Sequence, residues 1–377
     1  MENLFRHGDE LGPTKIIHVH EPGTELQAIL VVDNVAAGPA IGGLRMAPDV
    51  TLDECIRLAR AMTLKNAMAG LAHGGAKSVL VGDPKMPPEE KEQRIRAFAS
   101  ALRDTHEYIF GPDMGTDEHC MAWVKDETGR AAGLPHELGG IPLDELGITG
   151  WGVYHAAKVA AEYCKLELKN TRFAVQGFGA VGKHAARFLG KQGAVLVAAS
   201  DSRGTLSHAD GLDIDALIAL KDSGGSLVDH HEGLKQDRDA ILEVECEAWI
   251  PAARPDVLRA DNISRLKSRM VIQGANIPAS AEAEQYMHRA GILSIPDFVA
   301  NAGGVISAAL EYRGASESAV FPIVEEKLTR NTRQVLEAAS RKDIEPRQAA
   351  LEIAEVRVRK AMSLRRWSTF SSAPRFV

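Results

Sequence analysis

The segment Gly177-Phe178-Gly179-Ala180-Val181-Gly182 constrains this chain more than any other. It follows the apolar run Phe173 to Gln176 and opens a helical stretch, Lys183 to Leu189. That is a G-x-G-x-x-G pattern in a strand, turn and helix setting. The first glycine makes the tight turn, the second lets a pyrophosphate approach the backbone, and the third lets the helix pack on the strand. The helix N-terminus then faces the phosphates. An acid for the ribose is expected roughly 20 residues on. Asp201 stands nineteen residues past Gly182, closing the run Val195 to Ser200. The combination predicts a dinucleotide site. Asp201 favours NAD, because a carboxylate repels a 2′-phosphate. Arg203 can pair with such a phosphate, so NADP stays open behind NAD.

The texture around this site extends the reading. From about residue 150, short apolar runs alternate with helices: Phe173 to Gln176, Val195 to Ser200, Ala248 to Ile250, Met270 to Gln273 and Leu293 to Ile295. Such alternation predicts a parallel, doubly wound sheet with ligands beyond its carboxyl ends. Those ends are rich in Gly, Asp and Asn. The run Gly147-Ile-Thr-Gly150-Trp-Gly152 suits a hinge at the domain boundary. The expected division is 1–146 for a mixed α/β substrate and oligomerisation domain and 147–325 for a Rossmann-like domain, with a cleft separating the two. A helical segment, 326–377, is expected to pack back toward the first domain. It ends in Arg357, Arg359, Lys360, Arg365 and Arg366, read as a solvated terminus.

Composition closes off other classes. The chain has 377 residues, 45% hydrophobic and 25% charged, with a formal net charge of −7. This is a globular balance, not basic enough for a dedicated nucleic-acid binder. No apolar run approaches the roughly 18 residues of a membrane span. Met1 to Arg6 lacks the pattern of a signal peptide. Cys55, Cys120, Cys164 and Cys246 are far apart, with no CxxC pair, so neither a zinc site nor a disulfide framework is indicated. A reduced, cytoplasmic protein without a metal is expected.

The front of the chain holds unusual lysines. Lys65 lies in Ala61-Met-Thr-Leu-Lys65-Asn-Ala-Met-Ala-Gly70, and Lys77 in His73-Gly-Gly-Ala-Lys77-Ser78. A desolvated lysine beside a second cation has a depressed pKa and can act as a base near neutral pH. Asp113 sits in the Gly/Pro loop Gly111-Pro-Asp113-Met-Gly-Thr116, read as lying between helical segments. Gly42 and Gly43, after the strand Gln27 to Val32, can present backbone N–H groups to an anion. Thr51 and Glu54 form a capping box for a helix to Met68. His73 adjoins the lysine loop, with packing its expected role, and His230-His231 reads as solvated.

Together these segments resemble the family of glutamate, leucine, phenylalanine and valine dehydrogenases, from about residue 27 to about 315. The carriers, in family order, are Gly38-Pro-Ala-Ile-Gly-Gly-Leu-Arg45, Met62 to Leu71, Gly74-Gly-Ala-Lys77, Gly111 to Thr116, Gly177 to Gly182, Gly274-Ala-Asn276 and Pro296-Asp-Phe-Val-Ala-Asn-Ala-Gly-Gly304. The resemblance implies reversible oxidative deamination of an L-amino acid to a 2-oxo acid and ammonia. It implies that Lys65 holds the substrate α-carboxylate, with Gly42 and Gly43 nearby. Lys77 would activate water and polarise the carbonyl, Asp113 would shuttle a proton, and Lys65 would help keep Lys77 neutral. Thr149, Asn276 and Asn301 match positions near the nicotinamide, the two asparagines also near the substrate. Phe178, Ala180, Val181, Ser202, Ala252 and Ala275 join the glycines and Asp201 as expected cofactor contacts. A closed homo-oligomer, a hexamer or octamer, is implied as well.

The substrate reading turns on two departures. Glutamate-specific members resemble one another in a lysine where Ile41 stands and usually a serine where Ala308 stands. A buried distal carboxylate would lack both partners, which is expensive. An apolar pocket lined by Ile41, Gly111, Val305 and Ala308 is therefore expected, for a leucine-, valine- or phenylalanine-type substrate. Cys120-Met-Ala-Trp123 and Gly274-Ala-Asn-Ile-Pro278 look more like glutamate enzymes, so glutamate stands as the alternative. A catalytically idle amino-acid sensor is the alternative of another class. Ala76, where a third glycine is usual, puts a methyl beside Lys77.

Overall fold

The computed structural model describes residues 6–364. Met1 to Phe5, and Arg365 and Arg366 with the rest of the tail, lie outside the described residues. The chain forms two compact units. One comprises the chain to Pro142, Val305–Val320 and the stretch from Leu351 onward; the other comprises Leu143–Gly304 and Phe321–Ala350.

The first unit is built on strands β1 (Lys15–Glu21), β2 (Leu26–Asn34), β3 (Ala40–Ala47), β4 (Gly74–Val81) and β5 (Tyr108–Pro112). Their order is β1-β2-β4-β3-β5. β1, β2 and β4 pair antiparallel, whereas β3 runs parallel to both β4 and β5. Helices α1 (Leu52–Met68), α2 (Pro88–Ala101) and α3 (Glu118–Thr128) complete its first stretch. The core gathers Leu30, Leu44, Met46, Phe98, Tyr108 and Phe110. Ala76 belongs to this core, so its methyl turns away from the neighbouring lysine, as alternation along a strand requires.

Two site segments take definite places here. Gly42 and Gly43, not assigned to an element from the sequence, lie within strand β3. Pairing with β5 is continuous from Ala40 to Leu44, whereas pairing with β4 passes through Ile41 and resumes at Leu44. Likewise Asp113 follows a strand and precedes α3, rather than lying between helices.

The second unit opens with α4 (Leu143–Leu146) and α5 (Ile148–Tyr163). Strands β6 (Arg172–Gln176), β7 (Val195–Ser200), β8 (Thr205–Ser207), β9 (Leu234–Gln236), β10 (Ala248–Pro251), β11 (Met270–Ile272) and β12 (Leu293–Ile295) form its sheet, with α6 (Ala180–Gly190), α7 (Ile214–Asp222) and α8 (Ala281–Arg289) between them. The order is β12-β11-β10-β6-β7-β8-β9. From β12 to β7 every pairing is parallel, as expected. The β7-β8 and β8-β9 pairings are antiparallel, so the sheet carries a mixed edge that the alternation pattern did not foretell. The strand order reverses between β6 and β10, which is where such sheets hold ligands. The remaining helices are α9 (Asp297–Ala300), α10 (Gly303–Tyr312), α11 (Glu317–Lys342) and α12 (Pro346–Leu364).

The Gly147–Gly152 run is not a flexible linker. Gly150 and Gly152 are inside α5 and buried. A Cβ at Gly150 would come within 2.7 Å of the Ala185 backbone nitrogen, so this glycine lets α5 close on α6. His230 is also buried, with Glu232 as its partner, while His231 is exposed.

Candidate active site

In the first unit the strands deliver the charged groups. Lys77 stands on β4 and is only 6% exposed. Its Nζ donates to Asp113 Oδ2, just past the end of β5. The same oxygen accepts from Arg45 Nε at 2.9 Å, and Arg45 Nη1 reaches Glu54 Oε1 at 2.5 Å. A chain of four alternating charges therefore runs from Lys77 through Asp113 and Arg45 to Glu54. Arg45 and Glu54 were not singled out in the sequence. The arginine closed a quoted motif and the glutamate passed for half of a capping box. Thr51 does cap α1, accepting from the Glu54 N–H at 3.2 Å, but the Glu54 carboxylate serves Arg45.

Burial pushes the Lys77 ammonium below the ordinary lysine value, against the pull of Asp113, and Arg45 adds to the lowering. Burial raises the Asp113 carboxyl, yet Lys77 and Arg45 outweigh it and hold the group below the usual carboxylate range. Arg45 thus supplies a cation beside Lys77, a role the sequence reading gave to Lys65. Lys65 is half-buried in the last turn of α1. Gly43 keeps the cluster open, since a Cβ there would lie 2.8 Å from Asp113 Cβ and 3.2 Å from Lys77 Nζ.

Beside this cluster, Ile41 is buried against Ile109, Ala309, Leu71 and Tyr312. Val305 and Ala308 are half-buried on α10, spaced to share the face that carries Ala309 and Tyr312. A Cβ on Gly111 would meet nothing closer than Gly42 O at 4.0 Å. His73 packs, with Nδ1 3.0 Å from Pro39 O and its ring edge-on to Tyr312.

In the second unit the glycine motif has the geometry its pattern demands. Gly177 adopts φ +95°, Gly182 would clash with Gly177 O if it bore a Cβ, and Gly179 has open space around its Cα. The opening at Gly179 and the absence of a side-chain cap on α6 leave a cradle and free N–H groups for a pyrophosphate. Phe178 is buried, while Ala180 and Val181 form the first turn of α6. Gly274 approaches Val181 and Ala252, and Ala275 N donates to Pro251 O at 2.8 Å. Asn301 Nδ2 donates to Asn276 Oδ1 at 2.9 Å, which brings the two asparagines together. Thr149, in the first turn of α5, lies against Gly304. Asp201 follows β7, with exposed Ser202 next to it. Burial raises its carboxyl, but hydrogen bonds from Leu227, Arg203, Lys221 and Ser226 prevail and bring it to about 2.

Beneath the asparagines lies a support that the sequence did not disclose. Asp297 Oδ2 accepts from the Ile277 N–H at 2.8 Å, and its Oδ1 accepts from Arg347 at 2.8 Å. Arg347 also reaches Glu284 at 3.1 Å and Gln273 at 2.9 Å. Among the described residues, no group of His, Cys, Asp or Glu could hold a metal ion, and no helix is long and apolar enough to cross a membrane.

A mixed α/β chain with a glycine-motif sheet and a buried lysine bonded to a half-buried aspartate suits an amino-acid dehydrogenase. Two family descriptions match it: "Glu/Leu/Phe/Val dehydrogenase, dimerisation domain" over residues 13–130, and "Glutamate/Leucine/Phenylalanine/Valine dehydrogenase" over residues 139–366. The chain belongs to this family. An NADP-specific glutamate dehydrogenase of Saccharolobus shibatae is 34% identical, covering 88% of this chain and 83% of the relative. An NAD-specific glutamate dehydrogenase A of Halobacterium salinarum is 35% identical, covering 87% and 79%. The hetero-hexameric glutamate dehydrogenase of Thermus thermophilus, in a leucine-bound form, superposes with a TM-score of 0.83 at 30% identity, covering 94% and 91%.

Proposed function

We propose that this chain catalyses the reversible oxidative deamination of an L-amino acid, with L-glutamate as substrate and NAD, or else NADP, as coenzyme. The observation that carries the chemistry is the bond from buried Lys77 to Asp113, with Arg45 on the same carboxylate oxygen. The names of the relatives support glutamate over the apolar substrate expected from Ile41 and Ala308.

The proposed roles follow from the groups. Lys65 holds the substrate α-carboxylate. The bound coenzyme supplies a hydride acceptor for the substrate Cα–H. Loss of that hydride leaves an imine carbon open to water. Lys77, with its lowered pKa, takes a proton from the attacking water. Asp113 exchanges a proton with the substrate nitrogen, which leaves as ammonia once the 2-oxo acid forms. Gly177, Gly179 and Gly182 receive the pyrophosphate at the start of α6.

A second reading, an apolar substrate, is favoured by one observation: Ile41 packs among Ile109, Leu71, Ala309 and Tyr312, with no side chain at Gly111. We also propose a cytosolic homo-oligomer, in keeping with the dimerisation domain and four free cysteines. The test is coenzyme reduction against L-glutamate, leucine, valine, phenylalanine and tryptophan, with K77A as control. Turnover of glutamate, abolished in K77A, supports the main reading. Turnover confined to apolar substrates replaces it with the second. Coenzyme binding without any turnover refutes both and makes the chain a sensor.

A further inference from the structure

Tyr108 opens β5 and is wholly buried in the core of the first unit. Its side-chain oxygen is bonded twice. Tyr108 Oη donates to Gly42 O at 2.9 Å and lies 2.8 Å from Ser78 Oγ. A phenol carries one hydrogen, and a carbonyl oxygen can only accept, so Ser78 is the donor in the second bond. Burial pushes the Tyr108 phenol well above its ordinary value, which keeps that hydrogen in place.

The strut joins three strands where each carries a group of the site. Ser78 follows Lys77 on β4, Gly42 precedes Gly43 on β3, and β5 leads into Asp113. The ladder between β3 and β4 passes from the Ile41–Gly75 pair to the Leu44–Ser78 pair, skipping Gly42 and Gly43. A Cβ on Gly42 would come within 1.8 Å of Ala76 O, so only glycine allows this approach. The Gly42 carbonyl and the Gly43 N–H share one planar trans peptide and point in opposite directions. Whatever fixes the carbonyl therefore fixes the N–H. Gly43 in turn borders the reacting groups, since a Cβ there would lie 3.2 Å from Lys77 Nζ. Lys77 has a separate anchor. Its own carbonyl accepts from the Cys55 thiol at 3.2 Å, and burial pushes that thiol up to about 12, so it remains a donor.

We propose that Tyr108 and Ser78 are positioning residues for substrate binding. Their hydrogen-bonded strut orients the Gly42–Gly43 peptide toward the substrate α-carboxylate. Neither residue touches the substrate, and the strut leaves the proton chemistry of Lys77 and Asp113 alone. This rests on the proposed function, in which that carboxylate is bound near Gly42 and Gly43.

The experiment is steady-state kinetics over amino-acid concentration and pH, with coenzyme titration and thermal unfolding, on the wild type, Y108F, S78A and the double variant. Y108F keeps the ring and removes the bond to Gly42. It should raise KM for the amino acid about tenfold, in line with one buried hydrogen bond. It should leave kcat, the pH profile and coenzyme affinity within about twofold of wild type. S78A keeps the bond to Gly42 and should raise KM by no more than about threefold. In Y108F the buried Ser78 hydroxyl loses its acceptor, so the unfolding temperature should fall, and removing that hydroxyl as well should restore part of it. The double variant should therefore recover stability while keeping the raised KM of Y108F. A Y108F protein with the wild-type KM would overturn the proposal. So would a KM that recovers together with stability in the double variant, since that marks a purely structural role. Both results leave the proposed function standing; a wild type without turnover refutes that function and the positioning role with it.

Discussion

At Lys77 two influences oppose each other. Burial disfavours the ammonium, and Asp113 favours it. Burial prevails, with help from Arg45, and the amine sits below its ordinary value. Arg45 acts on both members of the pair in the same direction, lowering Lys77 by repulsion and Asp113 by attraction. Replacing it with an apolar residue should therefore raise both. In R45M the whole pH–rate profile should move to higher pH, both limbs together, since interacting groups titrate as a pair. The maximal rate should fall by about one to two orders of magnitude. Steady-state rates across pH, with thermal unfolding as a control for folding, check this. A profile unmoved in pH would mean that Arg45 does not tune the pair. Lys77 and Asp113 were legible because such residues are unusual among glycines and small apolar side chains. The Arg45–Glu54 link was not, because a glutamate in the first turn of a helix looks the same whether it faces solvent or a half-buried arginine.

Elements were legible where their periodicity was undisturbed and misread where packing used glycine. The strands from β6 to β12 that run parallel are continuous apolar runs, and all five were identified. The three-residue β8 and β9 are too short and polar to leave a pattern. β3 was not identified as a strand, because Pro39, Gly42 and Gly43 interrupt its pattern. In α5, Gly150 and Gly152 suggested a hinge, yet the helix uses them to approach its neighbours. The same helix carries a titratable group with a calculable consequence. His155 is buried, neither ring nitrogen has a hydrogen-bond partner, and Trp151 and Tyr154 flank it edge-on. Burial lowers its pKa from 6.5 to about 4, with Lys158 adding to the effect. Between those values the unfolded chain binds the proton and the folded chain does not. Stability is therefore lost as pH falls from about 6.5 toward 4, and it is retained above that window. H155F removes the proton-binding site while keeping the aromatic packing. Its unfolding temperature should exceed that of the wild type near pH 5, and the gap should close near pH 8. A constant gap across pH would show that His155 takes up its proton equally in the folded and unfolded chains, so that burial does not shift it.

At the scale of the whole molecule, order comes from contacts between residues far apart in sequence, which local patterns cannot reveal. Arg347 is the clearest case. It sits in α12, in the C-terminal helical segment, where the sequence singled out no role for it. Its guanidinium lies 5.6 Å from the centre of the Phe298 ring and bonds Asp297, Glu284 and Gln273. Glu284 and Gln273 are almost wholly buried, and Asp297 nearly so. Asp297 in turn fixes the Ile277 N–H, in a residue with φ +47°, next to Asn276. Removing the arginine leaves two carboxylates buried without their cation. The cost of breaking such a pair is about 3–5 kcal/mol, far more than an exposed ion pair contributes. R347M should therefore lower the unfolding free energy by about that amount. The loop that presents Asn276 should loosen with it, so coenzyme binding should weaken even where the protein remains folded. R347K restores charge but not the planar fork that serves three partners, and should recover only part of either loss. Denaturant unfolding and coenzyme titration of the two variants separate these effects. An R347M protein as stable as the wild type would mean that Glu284 and Asp297 take up protons or water at little cost. In that case the support for the asparagine loop would lie in the Asp297–Ile277 bond alone.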